Sequence, residues 1–133
     1  MKKILFVIFL LLLASPALCS NWQQIYDKEY IDVDSIRQES NQFVYAWFKN
    51  LNPGNWEKIN NKYHHFSTSL YVFDCKGKKI DAIAETSYGL KGEILNVFDY
   101  SSIYNPRLST TWRSIVPDSI GELKYNVVCG STK

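Results

Sequence analysis

Phe43-Val44-Tyr45-Ala46-Trp47-Phe48 is dense in β-formers and places Phe43, Tyr45 and Trp47 on one face of an extended chain. The polar Gln38-Glu39-Ser40-Asn41 before it supplies a turn, so the run is bounded as a strand. Toward the N-terminus, Trp22 to Tyr26 and Tyr30-Ile31-Asp32-Val33-Asp34 form two more short strands across Asp27-Lys28-Glu29. On the other side, Lys49 to Lys62 is rich in Asn, carries Asn52-Pro53-Gly54-Asn55 and has no apolar period, which predicts an exposed loop bearing Trp56.

From His64 to Cys75 the alternation predicts a long strand. His65, Ser67, Ser69, Tyr71 and Phe73 face one way, with Phe66, Leu70 and Val72 nearer the other, so one face is polar for half its length. Lys76-Gly77-Lys78 is a tight turn, Ile80 to Ser87 returns antiparallel, and Gly89 to Gly92 turns again into Ile94 to Tyr100. The pattern breaks at Asn105-Pro106, and Thr111 to Val116 leads to Pro117. Ile120, Leu123, Val127 and Val128 then change the period, with Pro117-Asp118-Ser119 as helix-start chemistry and Glu122 in the first turn. One short helix is expected there, although Val127-Val128-Cys129 also suits a terminal strand. The fold class that follows is α+β, mostly β: a single antiparallel sheet of about five or six strands with one C-terminal helix packed on it.

The first residues have the order of a cleavable secretion signal: basic Lys2-Lys3, an apolar run from Ile4 to Ala14, then small residues around Ala17 and Cys19. Cleavage between Cys19 and Ser20 leaves residues 20–133, which is 133 − 19 = 114 residues and one domain. Lipidation of Cys19 is the competing process, but Leu18 and Pro16 stand where it wants other residues. The apolar run is too short to cross a bilayer, and no second one follows, so no membrane span is expected. Without Lys2 and Lys3 the 15 basic residues become 13, against 13 acids, and a neutral domain offers nothing to steer it to nucleic acid.

Cys75 and Cys129 are the two cysteines left after cleavage, and an even pair in an exported chain reads as a disulfide rather than a metal site or nucleophile. His64 and His65 are adjacent on a strand and point to opposite faces, which keeps them from acting on one substrate and marks them as surface or strand-edge residues. Asp32 and Asp34 share a face but lack the glycine and closing glutamate of a calcium loop. There is no Gly-x-Ser-x-Gly elbow, and Gly89-Leu90-Lys91-Gly92 is a hairpin turn. No catalytic residue, metal or cofactor is expected.

The opening Trp22, the phrase Tyr30 to Ile36, the strand ending Ala46-Trp47-Phe48, Asp74-Cys75-Lys76, Trp112 with Val116-Pro117-Asp118-Ser119, and the closing Val128-Cys129 occur in an order that resembles the surface-adhesin protein E-like family of Gram-negative bacteria. The resemblance covers nearly all of residues 22 to 129. It implies a small antiparallel sheet with a helix, a Cys75 to Cys129 bridge, and adhesion to host extracellular-matrix or serum proteins. The expected function is therefore non-enzymatic protein binding by an exported domain, in the periplasm or at the cell surface. A periplasmic binding or inhibitor module for an envelope component is the alternative. Trp56, Asn55, Lys58, His64 and His65 are the candidate binding surface, with Trp56 as its anchor because Trp is enriched in binding hot spots. The sequence leaves the oligomeric state open, a homodimer included.

Overall fold

From Phe43 to Phe48 every side chain but Trp47 is buried, so both faces of the sheet are covered at this point. The computed structural model describes residues 20–52 and 57–130. They run β1 (Trp22–Tyr26), β2 (Glu29–Asp32), a 3-10 turn (Val33–Ser35), β3 (Arg37–Gln38), β4 (Phe43–Leu51), β5 (Lys58–Ile59), β6 (Lys62–Asp74), β7 (Lys79–Gly89), β8 (Ile94–Asp99), β9 (Arg113–Ser114) and α1 (Ile120–Gly130). The strands form one antiparallel sheet in the spatial order β1-β2-β4-β6-β7-β8, with β3, β5 and β9 paired to β4, β6 and β7.

The sheet thus has nine strands among the described residues, not about five or six. The additional β3, β5 and β9 are two residues each, too short to carry a period-two pattern that a sequence can display. The exposed loop expected from Lys49 to Lys62 is also shorter. β4 continues to Leu51, and β5 folds back on β6 through Asn60 and Asn61, both at positive φ, as a two-residue hairpin turn requires. At the next turn Asp74 Oδ1 accepts from the amides of Lys76 and Gly77, and a Cβ on Gly77 would collide with that same carboxylate.

Register fixes the two faces. Val44 lies opposite Phe73, Ala46 opposite Tyr71 and Phe48 opposite Ser69. Val44, Ala46, Phe48, Phe73, Ile31 and the helical Val128 form one core cluster. Phe43, Tyr45, Val72 and Ile83 form a second cluster, against which Leu70, Tyr104 and Trp112 pack. The helix covers the first face. The second is covered by residues 100–112, a segment whose broken pattern gave no hint of this role.

The helix starts as Pro117-Asp118-Ser119 predicts: Ser119 Oγ accepts from the Glu122 amide, and Glu122 reaches back to the Asp118 amide. It continues through Cys129, so the terminal-strand option is not realised. Three ties hold it to the sheet: the Cys75–Cys129 disulfide, the Tyr125 hydroxyl donating to the Cys75 carbonyl at 2.7 Å, and Lys124 Nζ lying 3.0 Å from Glu29 Oε2.

Candidate binding surface

The histidines are separated by a bulge in β6 between His64 and Phe66, which shifts the alternation by one residue. His64, not His65, therefore joins Ser67 and Ser69 on the helix-side face. It is 7% exposed instead of lying on the surface, with Nδ1 3.1 Å from Glu57 Oε2 and Nε2 2.8 Å from Ser67 Oγ. Ser67 Oγ is in turn 3.1 Å from Ser87 Oγ. His65 packs edge-on against Phe66 and does not line the same cleft. Lys58 projects from β5 with its ammonium over the Tyr63 ring. Asn55 and Trp56 lie outside the described residues. Of the three described candidates, His64 lies in the cleft while Lys58 packs on Tyr63 and His65 on Phe66.

His64 lines a polar cleft of about 290 Å³ with Glu29, Asn50, Glu57, Ser69, Glu85 and Lys124. This is the half-polar face that the serines of β6 predict: the helix covers the apolar half and leaves the other half open. The order Ser67, His64, Glu57 is that of a proton relay, but Ser67 sits inside the ladder opposite Asn50 and Ser87, with its hydroxyl shared between His64 and Ser87. The arrangement works as an internal hydrogen-bond network for groups that burial would otherwise leave unpaired. Asp32 Oδ1 accepts from the amides of Asn21 and Asp34, capping the 3-10 turn, so its carboxylate is occupied locally. Among the described residues no cluster of three or more His, Cys, Asp or Glu side chains is arranged to hold a metal ion.

The opposite face carries a larger concavity, about 550 Å³, between β7 and residues 100–112. Its walls are Ala82, Ile83, Tyr100, Ile103, Tyr104 and Leu108, with Asp81, Ser109, Thr111 and Arg113 as polar members. Ile103 and Leu108 are 81% and 77% exposed, and Tyr100 is exposed beside them. The segment is pinned from below. Trp112 stacks on Phe43 with ring centroids 6.0 Å apart, meets Tyr104 edge-on, and donates from Nε1 to the Pro106 carbonyl at 3.0 Å. The buried Asp81 receives the hydroxyls of Tyr104 at 2.9 Å, Ser109 at 3.2 Å and Thr111, all on Oδ2. Burial, with the bond to Asp81 adding to it and Ser109 opposing it, raises the Tyr104 hydroxyl above the ordinary phenol range, which keeps it a donor. The only sequence signal for this site is Tyr104 and Trp112 flanking Asn105-Pro106, a turn between two aromatic anchors.

The site residues thus sit on the two faces of a twice-covered antiparallel sheet, a polar cleft on one and an apolar concavity on the other. The chain belongs to the surface-adhesin protein E family, whose model matches residues 22–130. Solved structures of Haemophilus influenzae protein E share its fold. Crystal form II gives a TM-score of 0.59 at 13% identity over 88% of this chain and 93% of that one. Another structure of protein E gives 0.56 at 17% identity, covering 90% and 92%, and protein E from a non-typeable strain gives 0.56 at 13%, covering 87% and 80%. At such identities the likeness is one of fold. Among curated protein sequences no significant match is found.

Proposed function

We propose that the chain is an exported, non-enzymatic domain that captures extracellular-matrix or serum proteins of a host. The observation that carries this is the exposed apolar rim of Tyr100, Ile103 and Leu108 on a segment whose own packing is completed underneath by Trp112 and Tyr104. Apolar side chains held out on a rigid base, beyond what the core needs, mark an interaction surface. Family membership supports an adhesin-like role. The saturated Ser67-His64 network supports binding without a chemical step.

Immobilised matrix and serum proteins should bind the exported domain saturably, and Leu108→Asp should weaken that binding about tenfold or more while leaving the melting temperature within a few degrees, because Leu108 is exposed. Retention by envelope proteins alone would favour the periplasmic module instead. Trp56→Ala tests whether the loop between β4 and β5 adds an anchor.

Export is part of the same proposal. Intact-mass analysis of protein made in a Gram-negative host should show a chain beginning at Ser20 with no lipid, from the placing of Ala17, Leu18 and Cys19. Diacylglycerol on Cys19 would replace the free form by a membrane-anchored one.

A further inference from the structure

We infer that the concavity between β7 and residues 100–112 is a pocket for a lysine or arginine side chain of the captured protein. This rests on the proposed capture of protein partners and names the group the surface would select. Asp81 is 7% exposed and lies in the wall of this concavity. All three of its hydroxyl donors, from Tyr104, Ser109 and Thr111, meet Oδ2. Among the described residues Oδ1 receives no hydrogen bond, and Asp81 makes no ion pair. Oδ1 is not among the fully enclosed unpartnered atoms, so it stays within reach of solvent and of a hydrogen-bond donor that enters the concavity.

What would fill it is set by the rest of the pocket. Ile83, Ile103 and Leu108 provide an aliphatic wall, and Tyr100 and Tyr104 provide aromatic faces. A ligand complementary to these has an apolar stem several carbons long and a cationic, hydrogen-bond-donating head, which is the form of a lysine or arginine side chain. A neutral apolar side chain would satisfy the walls and leave Oδ1 bare. An acidic one would place a second carboxylate against Asp81. Arg113 also borders the pocket, but it is exposed on β9, where solvent screens it, whereas Asp81 acts from a drier position. The three hydroxyl bonds fix the carboxylate before any ligand arrives, so little ordering cost falls on binding.

The test uses the exported, disulfide-bonded protein and three blocked amino acids: Nα-acetyl-lysine, Nα-acetyl-arginine and Nα-acetyl-norleucine N-methylamides. Saturable shifts of the Ile83, Ile103 and Leu108 methyl resonances are expected with the two cations, and binding of norleucine is expected to be roughly tenfold weaker or less detectable still. Asp81→Asn keeps an oxygen for the hydroxyls but removes the charge, and it should erase the preference for the cations. Should that variant unfold, Leu108→Ser, at an exposed position, should still weaken binding of both cations. Equal binding of norleucine and lysine, an undiminished preference in Asp81→Asn, or no saturable shift with any probe would each overturn the assignment. No host protein enters these measurements. A domain that captures matrix proteins yet ignores the probes therefore loses only this pocket, and one that binds the probes yet captures no matrix or serum protein loses only the proposed function.

Discussion

Replacing Cys75 and Cys129 together by serine is expected to lower the unfolding midpoint of the domain by roughly 15 °C. The bridge joins residues 54 apart, and for a closed loop of that length the chain-entropy model gives about 4 kcal/mol. Domains are stable by only about 5 to 15 kcal/mol, so the loss is a large fraction of the whole. The native side of the balance changes little, because Tyr125 still bonds the Cys75 carbonyl and Val128 still fills the core. The stabilisation therefore acts through the unfolded chain, which becomes free to separate the end of β6 from α1. Thermal melts followed by circular dichroism, comparing the oxidised parent, the reduced parent and the double variant, provide the check. The last two should coincide, and a fall of less than about 3 °C in both would show that the staple contributes little.

The parts of the fold visible in the sequence were those whose signal is local and repeated. β4 showed itself because a central strand buried on both faces is apolar at nearly every position, from Phe43 to Phe48. The hairpin from β6 to β7 showed itself because Gly77 sits where only a residue without a side chain avoids Asp74. The helix start was legible in Ser119 and Glu122. What escaped was structure defined by distant partners. β3 exists because Arg37 and Gln38 meet Tyr45 and Val44, and β9 because Arg113 and Ser114 meet Ile80 and Lys79; nothing in two residues announces such a pairing.

The same contrast governs the sites. The polar half-face of β6 was legible in alternating serines, but a single bulge exchanged the roles of His64 and His65, and a bulge leaves no mark in composition. The concavity around Asp81 was hidden more deeply, since its walls come from β7 and from a segment that reads as an irregular connection. The partners that bury Asp81, namely Tyr104, Ser109 and Thr111, all lie more than twenty residues later in the chain, beyond any local pattern. Trp56, the anchor favoured from the sequence, falls outside the described residues and stands as a proposal.

Lys124→Met is expected to cost about 3 kcal/mol, most of which Glu29→Gln should restore when added to it. The side chains of Lys124 and Glu29 are only 9% and 10% exposed, and the ammonium lies 3.0 Å from Glu29 Oε2 as an ion pair without an aligned hydrogen bond to that oxygen. Asn50 donates to the other carboxylate oxygen, and the ammonium also sits 5.0 Å and 4.6 Å from the ring centroids of Phe48 and Tyr71. Methionine keeps the stem and much of the contact with those rings, so the single substitution mainly removes the charge. Glu29 is then left as a carboxylate at the edge of the core with Asn50 as its one remaining side-chain partner among the described residues, and an uncompensated buried charge costs about 3 to 5 kcal/mol. The low end applies because the neighbouring cleft admits water. In the double variant a neutral amide replaces the carboxylate, and a buried pair exchanged for neutral groups of similar shape is close to neutral in stability. Urea denaturation of the parent, both single variants and the double variant gives the coupling directly, with at least about 2 kcal/mol expected, because Glu29→Gln alone leaves the Lys124 charge unpaired. A single-variant cost below about 1 kcal/mol would place the pair with solvated surface bridges, leaving Val128, the Tyr125 hydroxyl bond and the disulfide to tie α1 to the sheet.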